Sequence, residues 1–119
     1  MIRLTHETLA ACYDFLNLTP PFASWGLPDS DDVLFKVGKF RTHFAHYQWD
    51  GRRHTITVST NAVGHTHTLI EKMAHEMVHL RLEMLGLDDR GTKDTHSVAF
   101  RRLAAIVTRE HGFDPKAFY

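Results

Sequence analysis

With 119 residues, 43% hydrophobic and 24% charged, the chain has the size and composition of one soluble globular domain, long enough to bury a core and too short for two. The 14 Lys and Arg are balanced by 14 Asp and Glu, which argues against direct nucleic-acid binding by charge. The lone cysteine, Cys12, excludes an internal disulfide and a zinc ribbon of paired Cys-x-x-Cys, and no run of about 18 apolar residues is present to cross a membrane.

The opening stretch MIRLTHETLAACYDFL lacks the apolar run and small-residue cleavage site of a signal peptide, so a cytoplasmic location is expected. Thr5 to Leu16 reads as a first helix, capped by Thr5, with Leu9, Cys12, Tyr13 and Leu16 on one face. From Asn17 to Asp32, Pro20, Pro21, Gly26 and Pro28 break regular structure, while Phe22 and Trp25 offer anchors that pin this long connection to the core.

Val33, Phe35 and Val37 alternate with Leu34 and Lys36, the period of a strand that Gly38 interrupts. A second strand is predicted over Thr42 to Trp49 and a third over Arg53 to Ser59, joined at the tight-turn signal Asp50-Gly51. They predict a hairpin in a small, mainly antiparallel sheet. If the third strand lies at the sheet edge, it can pair with an extended peptide. The aromatic residues Phe44, Tyr47 and Trp49, with Trp25, are expected in the core rather than in a cleft.

Thr68 to Leu85 (TLIEKMAHEMVHLRLEML) is predicted to be a buried helix, started by a capping box of Thr68 and Glu71 and ended at Gly86. It carries His75, Glu76 and His79 as His-Glu-x-x-His. At about 3.6 residues per turn the two histidines lie one turn apart on one face, where they can hold a zinc ion with the Glu76 carboxylate beside it. The competing reading is that all three are satisfied by hydrogen bonds inside the fold.

Leu87 to Asp94 reads as a loop, and Thr95 to His111 as a third helix capped by Asp94 or Thr95 and ended by Gly112. His96, Phe100, Leu103 and Val107 share one stripe of it. A catalytic zinc takes three protein ligands and keeps one position open. Positions 82 and 85 are Leu82 and Leu85, which excludes a third ligand in the pattern His-x-x-Gly-x-x-His. Glu83, Asp88, Asp89 and Asp94 are possible carboxylate ligands, although Glu83 is better placed to orient an imidazole. His96, delivered from the next helix, is the preferred third ligand. The tail from Phe113 to Tyr119, with Pro115 and three aromatic residues, is expected to fold back as a cover.

HEMVH preceded by TLIEKMA, with His96 and then Phe100 four residues on, resembles the SprT-like family of zinc metallopeptidases, which includes Spartan-type proteases acting on protein crosslinked to DNA. The similarity covers about residues 5 to 112 and is greatest to compact, stand-alone bacterial and phage members. It implies a single α+β, minimal zincin-like domain over residues 1–119, in which the sheet packs against an N-terminal helix, the motif helix and a C-terminal helix. It also implies Zn2+ held by His75, His79 and His96, with Glu76 as general base in the hydrolysis of a protein or peptide substrate.

Family members often have Gly after the third histidine, where this chain has Ser97, a change expected to affect helix entry. Neither the C-terminal cysteine ribbon of bacterial SprT proteins nor the DNA-binding extensions of Spartan proteins has a counterpart here. Two alternatives stand beside the peptidase: a catalytically silent, zinc-stabilised binding module, and a DNA-associated protease component whose contact with DNA is indirect, through a partner. His65, His67, Tyr47 and His46 are candidate donors to a developing oxyanion, each more commonly a surface or core residue. The pairs Arg52 with Arg53 and Arg101 with Arg102 are expected on solvated faces. No sequence signal indicates an oligomeric state.

Overall fold

A computed structural model describes residues 2–88 and 96–119. In chain order it contains α1 (His6–Asn17), β1 (Val33–Gly38), β2 (Ala45–Trp49), β3 (His54–Ser59), α2 (Thr66–Met84), α3 (Val98–His111) and α4 (Pro115–Phe118), an α+β arrangement. Thr5 caps α1 as its sequence predicts: the Thr8 N–H donates to Thr5 Oγ1 at 3.1 Å, and the Thr5 N–H donates to Thr8 Oγ1 at 2.8 Å. Leu9, Cys12, Tyr13 and Leu16 form its buried face. The connection to β1 is tied down at several points. Phe22 is fully buried against Trp25, the Tyr13 hydroxyl donates to Pro28 O at 2.6 Å, and Arg81 Nη1 donates to Trp25 O at 2.7 Å.

The sheet is mixed rather than mainly antiparallel, in the order β1-β3-β2. The Asp50-Gly51 hairpin forms, with Ala45 opposite Val58 and Trp49 opposite His54, but β1 lies parallel to β3 with Val33 opposite His54 and Gly38 opposite Ser59. β3 is therefore central, so the condition for it to pair with an extended peptide, a place at the sheet edge, is not met; among the described residues β1 and β2 are the outer strands. The Ser59 N–H donates to Phe44 O and the Asp50 N–H to Arg53 O, so alternation turns the backbone groups of Ala45, Tyr47 and Trp49 away from β3. Phe35, Ile56, Val58, Ala45 and Tyr47 form the inner face against the helices, and the alternate residues Leu34, Lys36, Thr55, Thr57, His46 and Gln48 form the outer one.

α2 runs through the centre and packs against α1, β2, β3, α3 and α4. Leu69, Met73, Ala74, Met77, Val78, Leu80 and Leu82 are buried around it, which is why the helix is apolar on most sides. The Thr68 and Glu71 capping box does not form. The helix starts at Thr66 behind an extended His65, and the buried Glu71 carboxylate turns to Lys72 at 3.5 Å and His67 at 3.9 Å instead of back to the helix start. At the other end Gly86, at φ 71, closes a Schellman motif: the Leu87 N–H donates to Leu82 O at 2.8 Å and the Gly86 N–H to Glu83 O at 3.0 Å.

α3 begins later than predicted. Ser97 is its cap, receiving the Phe100 N–H at 3.2 Å, so His96 stands just before the helix instead of in its first turn. The proposed caps Asp94 and Thr95 lie outside the described residues. Phe100 and Val107 are buried along the expected stripe with Leu103 packed beside them, and Gly112 ends the helix at φ 76. The tail folds back as expected: Asp114 caps α4, and Phe113 and Phe118 are buried.

Candidate metal centre

One ring nitrogen from each of His75, His79 and His96 lies within 4.8 Å of the other two. The helical repeat of α2 sets the first pair, and the chain segment ahead of α3 brings the third. His75 Nε2 and His96 Nε2 are 3.4 Å apart. Two nitrogens bound tetrahedrally to one zinc at 2.0 to 2.1 Å stand roughly 3.3 to 3.4 Å apart, so this spacing already fits an ion. The Phe100 ring supports all three imidazoles, with centroid separations of 5.0, 4.5 and 4.6 Å to His75, His79 and His96. That contact gives the Phe four residues after His96 its physical role.

Hydrogen bonds fix two of the imidazole tautomers. His75 Nδ1 is 2.7 Å from Phe118 O, and His79 Nδ1 is 3.0 Å from Asp88 Oδ1. A carbonyl and a carboxylate can only accept, so each Nδ1 carries the hydrogen and each Nε2 keeps its lone pair. Burial, reinforced by the neighbouring His79, pushes the His75 pKa down to about 3, so that imidazole stays neutral and available as a donor. Neutral imidazoles with anchored Nδ1–H groups are the donor set that zinc takes.

Glu76 is buried beside them, its Oε2 3.9 Å from His75 Nε2. Burial raises its carboxyl pKa to about 7; His79 and Lys72 act against the rise and Asp88 adds to it. A carboxyl poised there can take up and release a proton near neutral pH. Lys72 is also buried, its Nζ donating to Ala117 O, standing 3.5 Å from the Glu71 carboxylate and 4.8 Å from the Phe44 ring centroid.

These groups open into a cleft of about 580 Å³ bounded on one side by β2. Phe44, Tyr47 and Trp49 line it, which corrects the expectation of core positions for Phe44 and Trp49, whereas Tyr47 both lines the cleft and packs against the core. Trp25 does pack against the core. Of the four candidate oxyanion donors, His46 and Tyr47 line the cleft, whereas His65 and His67 are exposed at the start of α2 and do not. The Tyr47 hydroxyl is hydrogen-bonded to His54 Nδ1.

Among the carboxylates considered as ligands, Asp88 supports His79 from behind, the role expected of Glu83. Asp89 and Asp94 lie outside the described residues. Two supports carried no sequence signal: the carbonyl of Phe118, a backbone atom available at any residue, and the Ala117 carbonyl that holds Lys72. No protein-family model, no curated protein and no solved structure matches this chain.

Proposed function

We propose that the chain is a zinc-dependent metallopeptidase with His75, His79 and His96 as metal ligands and Glu76 as general base. The observation that carries this reading is the convergence of three imidazoles, two with Nδ1 engaged by other acceptors, beside a buried carboxyl. The 3.4 Å contact of His96 Nε2 with His75 Nε2 is within hydrogen-bond range when His96 Nε2 carries the proton, and a zinc ion would take that proton's place at the same spacing. The resemblance of HEMVH and the later His96 and Phe100 to SprT-like peptidases supports the same assignment.

When bound, zinc supplies a Lewis acid that polarises a peptide carbonyl and lowers the pKa of water from 15.7 toward about 7. The chain's own residues do the rest. Phe118 O and Asp88 hold the rings of His75 and His79 in the ligating tautomer. Glu76, with its pKa near 7, accepts a proton from the attacking water and returns it to the leaving amine. β2 borders the cleft in which a peptide substrate would lie.

The silent binding module is the weaker reading, because a structural zinc site is closed by a fourth protein ligand, whereas this cluster borders an open cleft. The test is metal analysis of the purified protein together with hydrolysis of an unfolded protein substrate before and after chelation. One zinc per chain, activity lost on chelation and restored by zinc, is the expected result. A zinc-loaded protein that cleaves no peptide bond in any unfolded substrate would leave only the binding module.

A further inference from the structure

Tyr119 is held at the wall of the metal cleft by the tail that precedes it. The carbonyls of the two residues before it are both pinned by side chains three residues apart on α2: Lys72 Nζ donates to Ala117 O, and His75 Nδ1 donates to Phe118 O at 2.7 Å. Phe118 is fully buried, its ring 5.5 Å from that of His75. Tyr119 itself is 44% exposed and lines the cleft, with its ring centroid 5.4 Å from His96 and 5.7 Å from Phe100. Its hydroxyl has no hydrogen-bond partner among the described residues.

A peptide carbonyl attacked by water gathers negative charge on its oxygen, and a donor held in place beforehand stabilises that charge without reorganising. The other candidate donors around the cleft are committed elsewhere. The Tyr47 hydroxyl is bonded to His54 Nδ1, His46 is bonded to His43 at 3.2 Å and to the Gln48 side chain, and Lys72 is shared between Ala117 O and the Glu71 carboxylate. His65 and His67 do not line the cleft. We propose that Tyr119 is a catalytic residue, whose hydroxyl donates a hydrogen bond to the scissile carbonyl oxygen as that oxygen becomes an oxyanion. The proposal rests on the peptidase reading of the cleft. In the step it serves, the water oxygen bonds to the carbonyl carbon, one water proton passes to Glu76, and the π pair of the C=O bond moves onto oxygen. When that pair returns, the C–N bond breaks and the proton passes from Glu76 to the leaving nitrogen. The Tyr119 O–H bond stays intact throughout.

The test compares the zinc-loaded parent with Tyr119→Phe, which keeps the ring and its packing and removes only the hydroxyl. The variant is expected to lose about 100-fold in kcat, with KM and zinc content within about twofold of the parent. A second readout is binding of a fluorescent phosphinic peptide, whose tetrahedral, anionic phosphorus group copies the attacked carbonyl. Tyr119→Phe is expected to bind it about tenfold or more weakly, while the corresponding substrate peptide, measured in a Glu76→Gln background, binds with and without the hydroxyl alike. A kcat within about threefold of the parent would overturn the proposal. So would phosphinic-peptide binding that is unchanged, or that falls only as far as binding of the substrate peptide, as a purely structural ring would give. A parent that cleaves no peptide ends the peptidase reading and this role with it, whereas an active parent that Tyr119→Phe leaves unchanged ends this role alone.

Discussion

Replacing Asp88 tests whether the centre is held from behind as its geometry indicates. Its carboxylate accepts from His79 Nδ1 at 3.0 Å, with side-chain exposures of 6% for Asp88 and 12% for His79, so the contact is largely shielded from water. In Asp88→Ala the His79 ring loses the acceptor that fixes its tautomer and orientation. Loss of such a support costs about 10- to 100-fold in metal affinity, or roughly 1.4 to 2.8 kcal/mol. Asp88→Asn keeps an oxygen that can accept the same hydrogen but removes the charge. A hydrogen bond to a charged group contributes about 1 kcal/mol more than a neutral one, so the Asn variant should lose only about fivefold. Zinc affinity is read by competition against a chromophoric chelator, with circular dichroism of the metal-free proteins confirming that each variant folds. The expected order is parent, then Asn, then Ala. An Ala variant within twofold of the parent, or an Asn variant weaker than Ala, would refute the argument.

Glu76→Gln is expected to retain zinc while lowering kcat/KM by at least about 100-fold, as removal of a general base requires; full activity in this variant would reassign the base. His96→Ala should leave dialysed protein with well under one zinc per chain, and a zinc content equal to the parent's would show that His96 is not the third ligand. Stability of the metal-free protein should depend on pH through two opposed groups. The folded-state pKa of His75 is about 3 against 6.5 for the free group, so the unfolded chain binds more protons between these values and stability rises with pH there. Glu76 is raised from 4.5 to about 7, so the folded chain binds more protons in that window and stability falls as pH rises through it. The two effects oppose each other between about pH 4.5 and 6.5. Burial also lowers the pKa values of His46, His54 and His111, which adds to the rise, so in urea-unfolding free energy Glu76→Gln should climb more steeply than the parent there, by up to roughly 1.4 kcal/mol per pH unit. Parallel curves for the two proteins would remove the assigned shift of Glu76.

Much of the site was legible in local sequence because it depends on helical spacing. His75, Glu76 and His79 needed only the periodicity of α2, and the apolar residues around them marked that helix as buried. The hairpin was legible from Asp50-Gly51, and the end of α3 from Gly112. The helix starts were read less well. Thr68 and Glu71 match a capping box, yet the burial of Glu71 beside Lys72 holds that carboxylate away from the helix start. For α3 the cap is Ser97, the residue at which the chain departs from the SprT-like pattern, and it places His96 just ahead of the helix.

The sequence by itself determined which face of one helix carries two imidazoles and a carboxylate, because a helix converts spacing along the chain directly into direction in space. Only the tertiary structure decided that β1 runs parallel to β3 and that β3 lies between β1 and β2, since alternation along a strand specifies its faces and not its neighbours. It also decided what stands behind the ligands. Asp88 meets His79 across nine residues and Phe118 O meets His75 across 43, separations that only the packed chain can close.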